Sequence, residues 1–282
     1  MKPFSALLII LNFFFQFNLS HAEEKIISLE KDKNIILNGN FIQGGLVYGK
    51  SIPKTSIKFM KRFIFQDSDN KFVFGMGRDY PETAVLEIKY NNDIRKINIK
   101  IKKQVYKIQK IKGLPKKMVT PPESVYKRII RENKEIAKVR ALNSKINYIF
   151  QDFIWPVQGI ITGVFGSQRI LNGKPRRPHY GIDIAASKGT NILAPTDSIV
   201  RMAEDNLYFT GGTIMLDHGH GVTSVYSHLS KLLVKKNQKI KKGHVIGHVG
   251  STGRSTGPHL DWRINWFDQR LDPYLFIKQV KQ

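Results

Sequence analysis

The chain opens on an apolar run, Phe4 to about Phe17, behind one basic residue, Lys2. Ser20-His21-Ala22 follows as a small-x-small cleavage site, and the acidic Glu23-Glu24 come directly after it. The run is shorter than the roughly 20 residues a membrane span needs, so residues 1–22 are expected to be a signal peptide. From about Ile26 to Ile108 apolar and polar positions alternate with period two. Examples are Lys71-Phe72-Val73-Phe74, Ala84-Val85-Leu86-Glu87-Ile88 and Ile97-Asn98-Ile99-Lys100-Ile101. Asn38-Gly39-Asn40, Asp67-Ser68-Asp69-Asn70 and Tyr90-Asn91-Asn92-Asp93 separate them as turns. Short strands at regular spacing predict a small amino-terminal β-sandwich over residues 23–108. It holds no histidine and no clustered carboxylates, which suits an accessory domain.

The period then changes. Gly113-Leu114-Pro115 and Pro121-Pro122 end the alternation, and between Glu123 and about Leu142 the apolar residues Val125, Ile129, Ile136 and Val139 recur at helical spacing among many charges. Residues 109–150 are therefore expected to be a linker with a solvated α-helix and one buried stripe. A membrane-surface helix is the weaker reading, because acidic residues interrupt its polar face. From Phe153 onward short β runs return between Gly-rich turns: Asn191–Ala194, Gly212–Leu216, Val222–Tyr226 and His244–Gly247. The expected fold is mainly β, with a second, antiparallel β domain over residues 151–282.

Charge and composition narrow the partners. The 282 residues hold 46 Lys and Arg against 22 Asp and Glu, a formal charge of +24. In an exported protein such a charge points away from nucleic acid and toward cell-wall peptide carboxylates or anionic head groups. There is no cysteine, so neither disulfides nor a lipid-modified cysteine contribute. No segment beyond the leader is long and apolar enough to span a bilayer, so no stable transmembrane segment is expected in the mature chain.

Seven of the eight histidines lie beyond Phe153. Four stretches carry candidate ligands: PHYGID (178–183), DHGHG (217–221), VYSHLS (225–230) and GPHLDWR (257–263). A hydrolytic zinc site uses about three His, Asp or Glu ligands with one position left for water, plus a base that is not a ligand. His179 and Asp183 stand four apart, and His259 and Asp261 two apart, so in extended backbone each pair shares a face. Ile182 and Ile184 would then turn into the core. His218-Gly219-His220 looks like a ligand pair, but its glycines suit a tight hairpin whose side chains are expected to point into solvent. His244 and His248 are likewise expected to face solvent.

HYGID, YSHLS and GPHLDWR, in this order, resemble the lysostaphin and LytM class of zinc metallopeptidases, peptidase family M23. Gly189-Thr190, Ala194-Pro195, Lys242-Gly243-His244-Val245-Ile246-Gly247 and Gly250-Ser251-Thr252-Gly253 add to the likeness, which covers about residues 155–275. The amino-terminal β segment plus helix is similar to the two-domain architecture of exported members from Gram-negative bacteria. The resemblance implies one Zn²⁺ per chain, or another divalent metal, held by His179 and Asp183. It further implies that His228 and His259 are non-ligand catalytic histidines, which orient water and stabilise the oxyanion. The implied activity is hydrolysis of peptide cross-links in peptidoglycan by a periplasmic, wall-associated enzyme, with a regulatory protein as a possible partner.

One position departs from the family pattern. The last motif is usually His-x-His, whose second histidine is the third ligand, and Asp261 stands in that slot. Carboxylate oxygen binds zinc at nearly the distance of imidazole nitrogen, so a His179/Asp183/Asp261 site is chemically sound. A second carboxylate would leave the metal less positive and a weaker Lewis acid, and positive charge such as that of Arg263 could compensate. Three readings stay open: an active enzyme, a metal-holding domain with slow turnover, and a degenerate LytM-like module that binds wall or activates another hydrolase. The segment Ser167–Pro178, rich in arginine, is expected to rim the groove.

Overall fold

The computed structural model describes residues 35–111, 122–171 and 173–277. The expected signal peptide lies outside these residues, as does part of the linker, 112–121.

The amino-terminal half contains two antiparallel sheets. One orders Ile35–Gly39, Leu46–Ser51 and Lys71–Gly75; the other orders Arg62–Phe63, Thr55–Phe59, Thr83–Tyr90 and Asp93–Lys100. Alternation works as expected in Ile35–Gly39, where Ile35 and Leu37 are buried and Ile36 is exposed. The Tyr90–Asp93 hairpin closes through Asn91 at φ 52°, a left-handed turn that asparagine tolerates. Lys71–Gly75 departs from alternation: Phe72, Val73 and Phe74 are all buried. Phe74 stacks on Phe59 with ring centroids 4.2 Å apart. On the Val73 side, a Cβ at Gly75 would lie 2.8 Å from Trp266. The strand is therefore covered on both faces, the second time by the carboxy-terminal half, and one hydrophobic cluster runs from Ile35 to Leu271.

The carboxy-terminal half is built on an eight-stranded antiparallel sheet. Its strands run in the order Lys239–Ile240, Ser198–Leu207, Gly211–Gly219, Val222–Leu229, His259–Trp266, Ile182–Ala185 and Ile160–Gly163, with Gln269–Leu271 also paired to His259–Trp266. In His259–Trp266 the side chains of Leu260, Trp262, Ile264 and Trp266 enter the core. His259, Asp261, Arg263 and Asn265 occupy the other face, as period two demands. Ile182 and Ile184 are 2% and 1% exposed, both in the core.

The helix spans Tyr126–Arg140 behind a 3-10 turn, Glu123–Val125. Only Val139 of its apolar stripe is buried; with Ile136 it packs on Met202, Leu207, Met215 and Val225. The first half leans on the sheet through polar contacts instead. Glu132 accepts from the Tyr208 amide at 2.8 Å, and Arg128 donates to the Asn206 carbonyl. Val225 is paired with Arg263, so the helix lies on the same sheet face as Arg263 and Asp261.

A small sheet joins the two halves near His179: Ile108–Ile111 runs parallel to Gln168–Leu171, which pairs with Lys174–Pro175. The DHGHG hairpin corrects one expectation. His220-Gly221 does form the two-residue turn, at φ 53° and 79°, yet its histidines avoid solvent. His218 is 0% and His220 3% exposed. The turn is capped by residues 144–150: Ser144 accepts from the His220 amide, and His220 Nε2 bonds Asn147 Oδ1 at 3.0 Å between the rings of Phe65 and Phe150. His218 bonds Ser224 Oγ at 2.7 Å, and burial lowers its pKa to about 4. His244 is exposed as expected, whereas His248 is half-buried.

Candidate metal centre

Register brings the site together. Asp183 is paired directly with Asp261, Asp261 with Ser227, and Asp183 with Gly163. A row across four strands therefore reads Ser227, Asp261, Asp183, Gly163, all on the face opposite the core. Two carboxylates facing each other on adjacent strands repel, so this row needs positive charge to be stable. A glycine ends it because a Cβ at 163 would sit 2.3 Å from Asp183 Oδ2.

His179 precedes the Ile182–Ala185 strand and is tied down by its backbone. Its amide donates to Ser167 O and its carbonyl accepts from the Gly166 amide, both at 2.8 Å. His179 Nε2 lies 3.3 Å from Asp183 Oδ1 but is buried without a hydrogen-bond partner. One ligand atom each from His179, Asp183 and Asp261 fits within a 4.8 Å spread. Two ligands at zinc bond lengths on a tetrahedral ion stand about 3.3 Å apart. An orphaned imidazole nitrogen at that spacing from a carboxylate therefore fits a divalent metal.

His228 and His259 flank the row, with ring centroids 4.8 Å apart. By strand alternation His228 would point with Tyr226 into the core. A left-handed backbone, φ 68°, turns it out toward His259 instead. That conformation costs about 1–2 kcal/mol in a residue with a Cβ. Each ring makes a 2.8 Å contact from Nδ1 to a carbonyl, His228 to Thr252 and His259 to Gly257. Those carbonyls require Nδ1–H, so both Nε2 atoms are left as acceptors in the neutral rings. Burial lowers the pKa of His228.

Asp261 is held by Arg263, two residues on along the same strand face. Arg263 Nε donates to Oδ1 at 2.9 Å and to Oδ2 at 3.1 Å, and Nη2 also donates to Oδ2. Burial pushes the Asp261 carboxyl up, but the charge and hydrogen bonds of Arg263, aided by His179 and His228, outweigh it and hold it at about 2. Gly181 makes this pair possible: a Cβ there would meet Arg263 Cγ at 2.5 Å. Sequence patterning brought out the five polar residues but missed Gly163, Gly181 and the Thr252 carbonyl. Of these, Gly181 lies inside HYGID and Thr252 inside Gly250-Ser251-Thr252-Gly253, whereas Gly163 carried no readable signal.

Part of the chain that carries this arrangement is similar to known proteins. The description "Peptidase family M23" matches residues 177–273, which contain all five polar residues of the site. Residues 177–273, about a third of the chain, are similar to peptidase family M23. The peptidoglycan DD-endopeptidase ShyA of Vibrio cholerae is 42% identical over 87 residues, 31% of this chain and 20% of ShyA. The murein hydrolase activator NlpD of Escherichia coli is 33% identical over 125 residues, 44% of this chain and 31% of NlpD. The matched segments thus span a fifth to a third of these relatives' lengths. A solved M23 peptidase structure from Pseudomonas aeruginosa superimposes with a TM-score of 0.64 at 27% identity, covering 84% of this chain and 94% of that one. Among the described residues no helix is long and apolar enough to cross a membrane.

Proposed function

We propose that the chain is an exported, periplasmic metalloendopeptidase that hydrolyses peptide cross-links of peptidoglycan, with His179, Asp183 and Asp261 as ligands of one zinc ion. The observation that carries this reading is the orphaned His179 Nε2 converging with two paired carboxylates beside two non-ligand histidines. A zinc ion held there supplies Lewis-acid polarisation of the scissile carbonyl and acidifies the attacking water. His228, neutral through burial and with Nε2 free, accepts a proton as attack proceeds. Once charged, its Nε2–H becomes a donor to the developing oxyanion, while Nδ1–H stays fixed on Thr252. His259, fixed in the same way on Gly257, orients the substrate-side water. The leader pattern of residues 1–22, the basic charge and the similarity to ShyA support the location and the substrate.

Similarity to an activator, NlpD, together with the engagement of Asp261 by Arg263, favours a second reading. In it the domain binds wall or activates another hydrolase without cleaving. Purified full-length mature chain separates the two. The first reading expects about one zinc per chain and release of peptide cross-links from isolated sacculi, both lost in His179→Ala. Wall binding without metal or cleavage, unchanged in that variant, supports the second.

A further inference from the structure

We propose that Arg263 is a positioning residue of the metal site, and that the Asp261–Arg263 couple together replaces one neutral imidazole ligand. The inference rests on the reading that His179, Asp183 and Asp261 hold a metal ion.

Three geometric facts point the same way. First, the guanidinium grips the carboxylate along its edge, with Nε shared between both oxygens and Nη2 on Oδ2. Oδ2 takes two donors and Oδ1 one, so Oδ1 keeps a lone pair for the ion while the carboxylate plane is fixed. A planar fork does this; an ammonium group does not. Second, space is reserved for the fork. A Cβ at Gly181 would strike Arg263 Cγ at 2.5 Å, Trp262 O at 2.4 Å and Asp261 Oδ1 at 3.1 Å. Third, Asp261 directly faces Asp183 across the strand pair, so a cation is needed on this row with or without a metal.

Charge counting gives the consequence. Two carboxylates, one guanidinium and a neutral His179 leave the site with one net negative charge. Two imidazoles and one carboxylate leave the same. A metal ion therefore meets the electrostatics of a two-histidine, one-aspartate site although the ligands differ. It also follows that Asp261→His is not a clean repair. The new imidazole would leave Arg263 without its carboxylate, an unpaired cation pointing at the metal.

Zinc affinity of the full mature chain, measured by chelator competition, tests this with four proteins: wild type, Arg263→Gln, Asp261→His and the double variant. Apo melting curves establish that each is folded. The expected result is a weakening of about 10- to 100-fold both in Asp261→His and in Arg263→Gln alone, with affinity largely recovered when Arg263→Gln is added to Asp261→His. This sign reversal at position 263 is an effect that a purely structural arginine does not produce. Additive effects, or an Asp261→His variant that binds at least as tightly as wild type with Arg263 present, overturn the proposal while leaving the metallopeptidase reading standing. A wild type that binds no zinc removes both. If Asp261→His does not fold, Asp261→Asn with and without Arg263→Gln makes the same comparison, and recovery is again the expected outcome.

Discussion

Gly163 touches no substrate in any reading of the site, yet Gly163→Ala is expected to damage metal binding. The added Cβ would lie 2.3 Å from Asp183 Oδ2, 2.8 Å from its Cγ and 3.0 Å from its Cβ. Ordinary contact begins at 3.4 Å, so the oxygen has to retreat by about 1.1 Å, the difference of 3.4 and 2.3. Rotation of the carboxylate cannot achieve this, because Cγ and Cβ are crowded as well and Cβ is fixed by the strand. Metal–ligand distances tolerate only about 0.2 Å. The expected loss of zinc affinity is about 10- to 100-fold, with a destabilisation of about 1–3 kcal/mol from overpacking. Gly163 does not adopt a positive φ, so backbone strain adds nothing. Chelator competition and apo melting curves read the two effects separately. Gly257→Ala is the control: it lies two residues from His259, but a Cβ there meets nothing within 4 Å. Wild-type zinc affinity in Gly163→Ala would refute the role given to Asp183.

Three further outcomes are open to measurement. Burial pushes Asp272 up to about 6, so between about pH 4 and 6 the folded chain keeps a proton the unfolded chain has lost, and stability falls as pH rises. Asp272→Asn, which can still cap the Tyr274 amide, is expected to add about 3 kcal/mol at pH 7 and nothing near pH 3.5 by urea unfolding; no gain at pH 7 contradicts it. His218, lowered to about 4 by burial, acts in the opposite sense. Below its ordinary pKa of about 6.5 the unfolded chain binds a proton that the folded one refuses. In an Asp272→Asn background stability should therefore fall by about 3 kcal/mol from pH 6.5 to 4, and His218→Phe should flatten that slope. His228→Asn, which suits the left-handed backbone at 228, is expected to keep the wild-type melting temperature while abolishing sacculus hydrolysis. A loss above about 2 kcal/mol would instead make the imidazole a structural prop.

The site was legible in the sequence because its polar residues obey local rules. Asp261 stands two residues from His259 on one strand, and alternation puts that pair on one face; His179 lies ahead of the Ile182–Ala185 strand and reaches Asp183 through its backbone bonds to Gly166 and Ser167. His228 breaks that rule through a single left-handed residue, and only its motif gave it away. Partners across strands were not readable. Nothing in Ile160–Gly163 announces that its glycine makes room for a carboxylate, since that depends on register. DHGHG was read correctly as a turn and wrongly as solvent-facing, because the segment that covers it, residues 144–150, is remote in sequence. The same limit hid the second cover on Lys71–Gly75: alternation reports one buried face and is silent when another sheet arrives on the other. The helix shows the converse. Four apolar residues predicted a stripe, and only the last turns bury apolar side chains against the sheet.

The shared core also bears on how the chain is made. Asn40 bonds the Leu275 carbonyl and the Gly77 amide bonds Gln269, across 235 and 192 residues. Arg62 lies 4.0 Å over the ring of Phe267, and the Asp272 amide closes on the Gly44 carbonyl. A polypeptide emerging from a ribosome or a translocation pore therefore presents the Val73 side of Lys71–Gly75 long before Trp266 and Leu271 arrive to cover it. Closure over such separations is slow, and an uncovered strand face is a template for aggregation until it is complete. A holding chaperone would matter most during that interval, and a nascent chain stalled before Trp266 should be a protease substrate even though its first sheets are already written in its sequence.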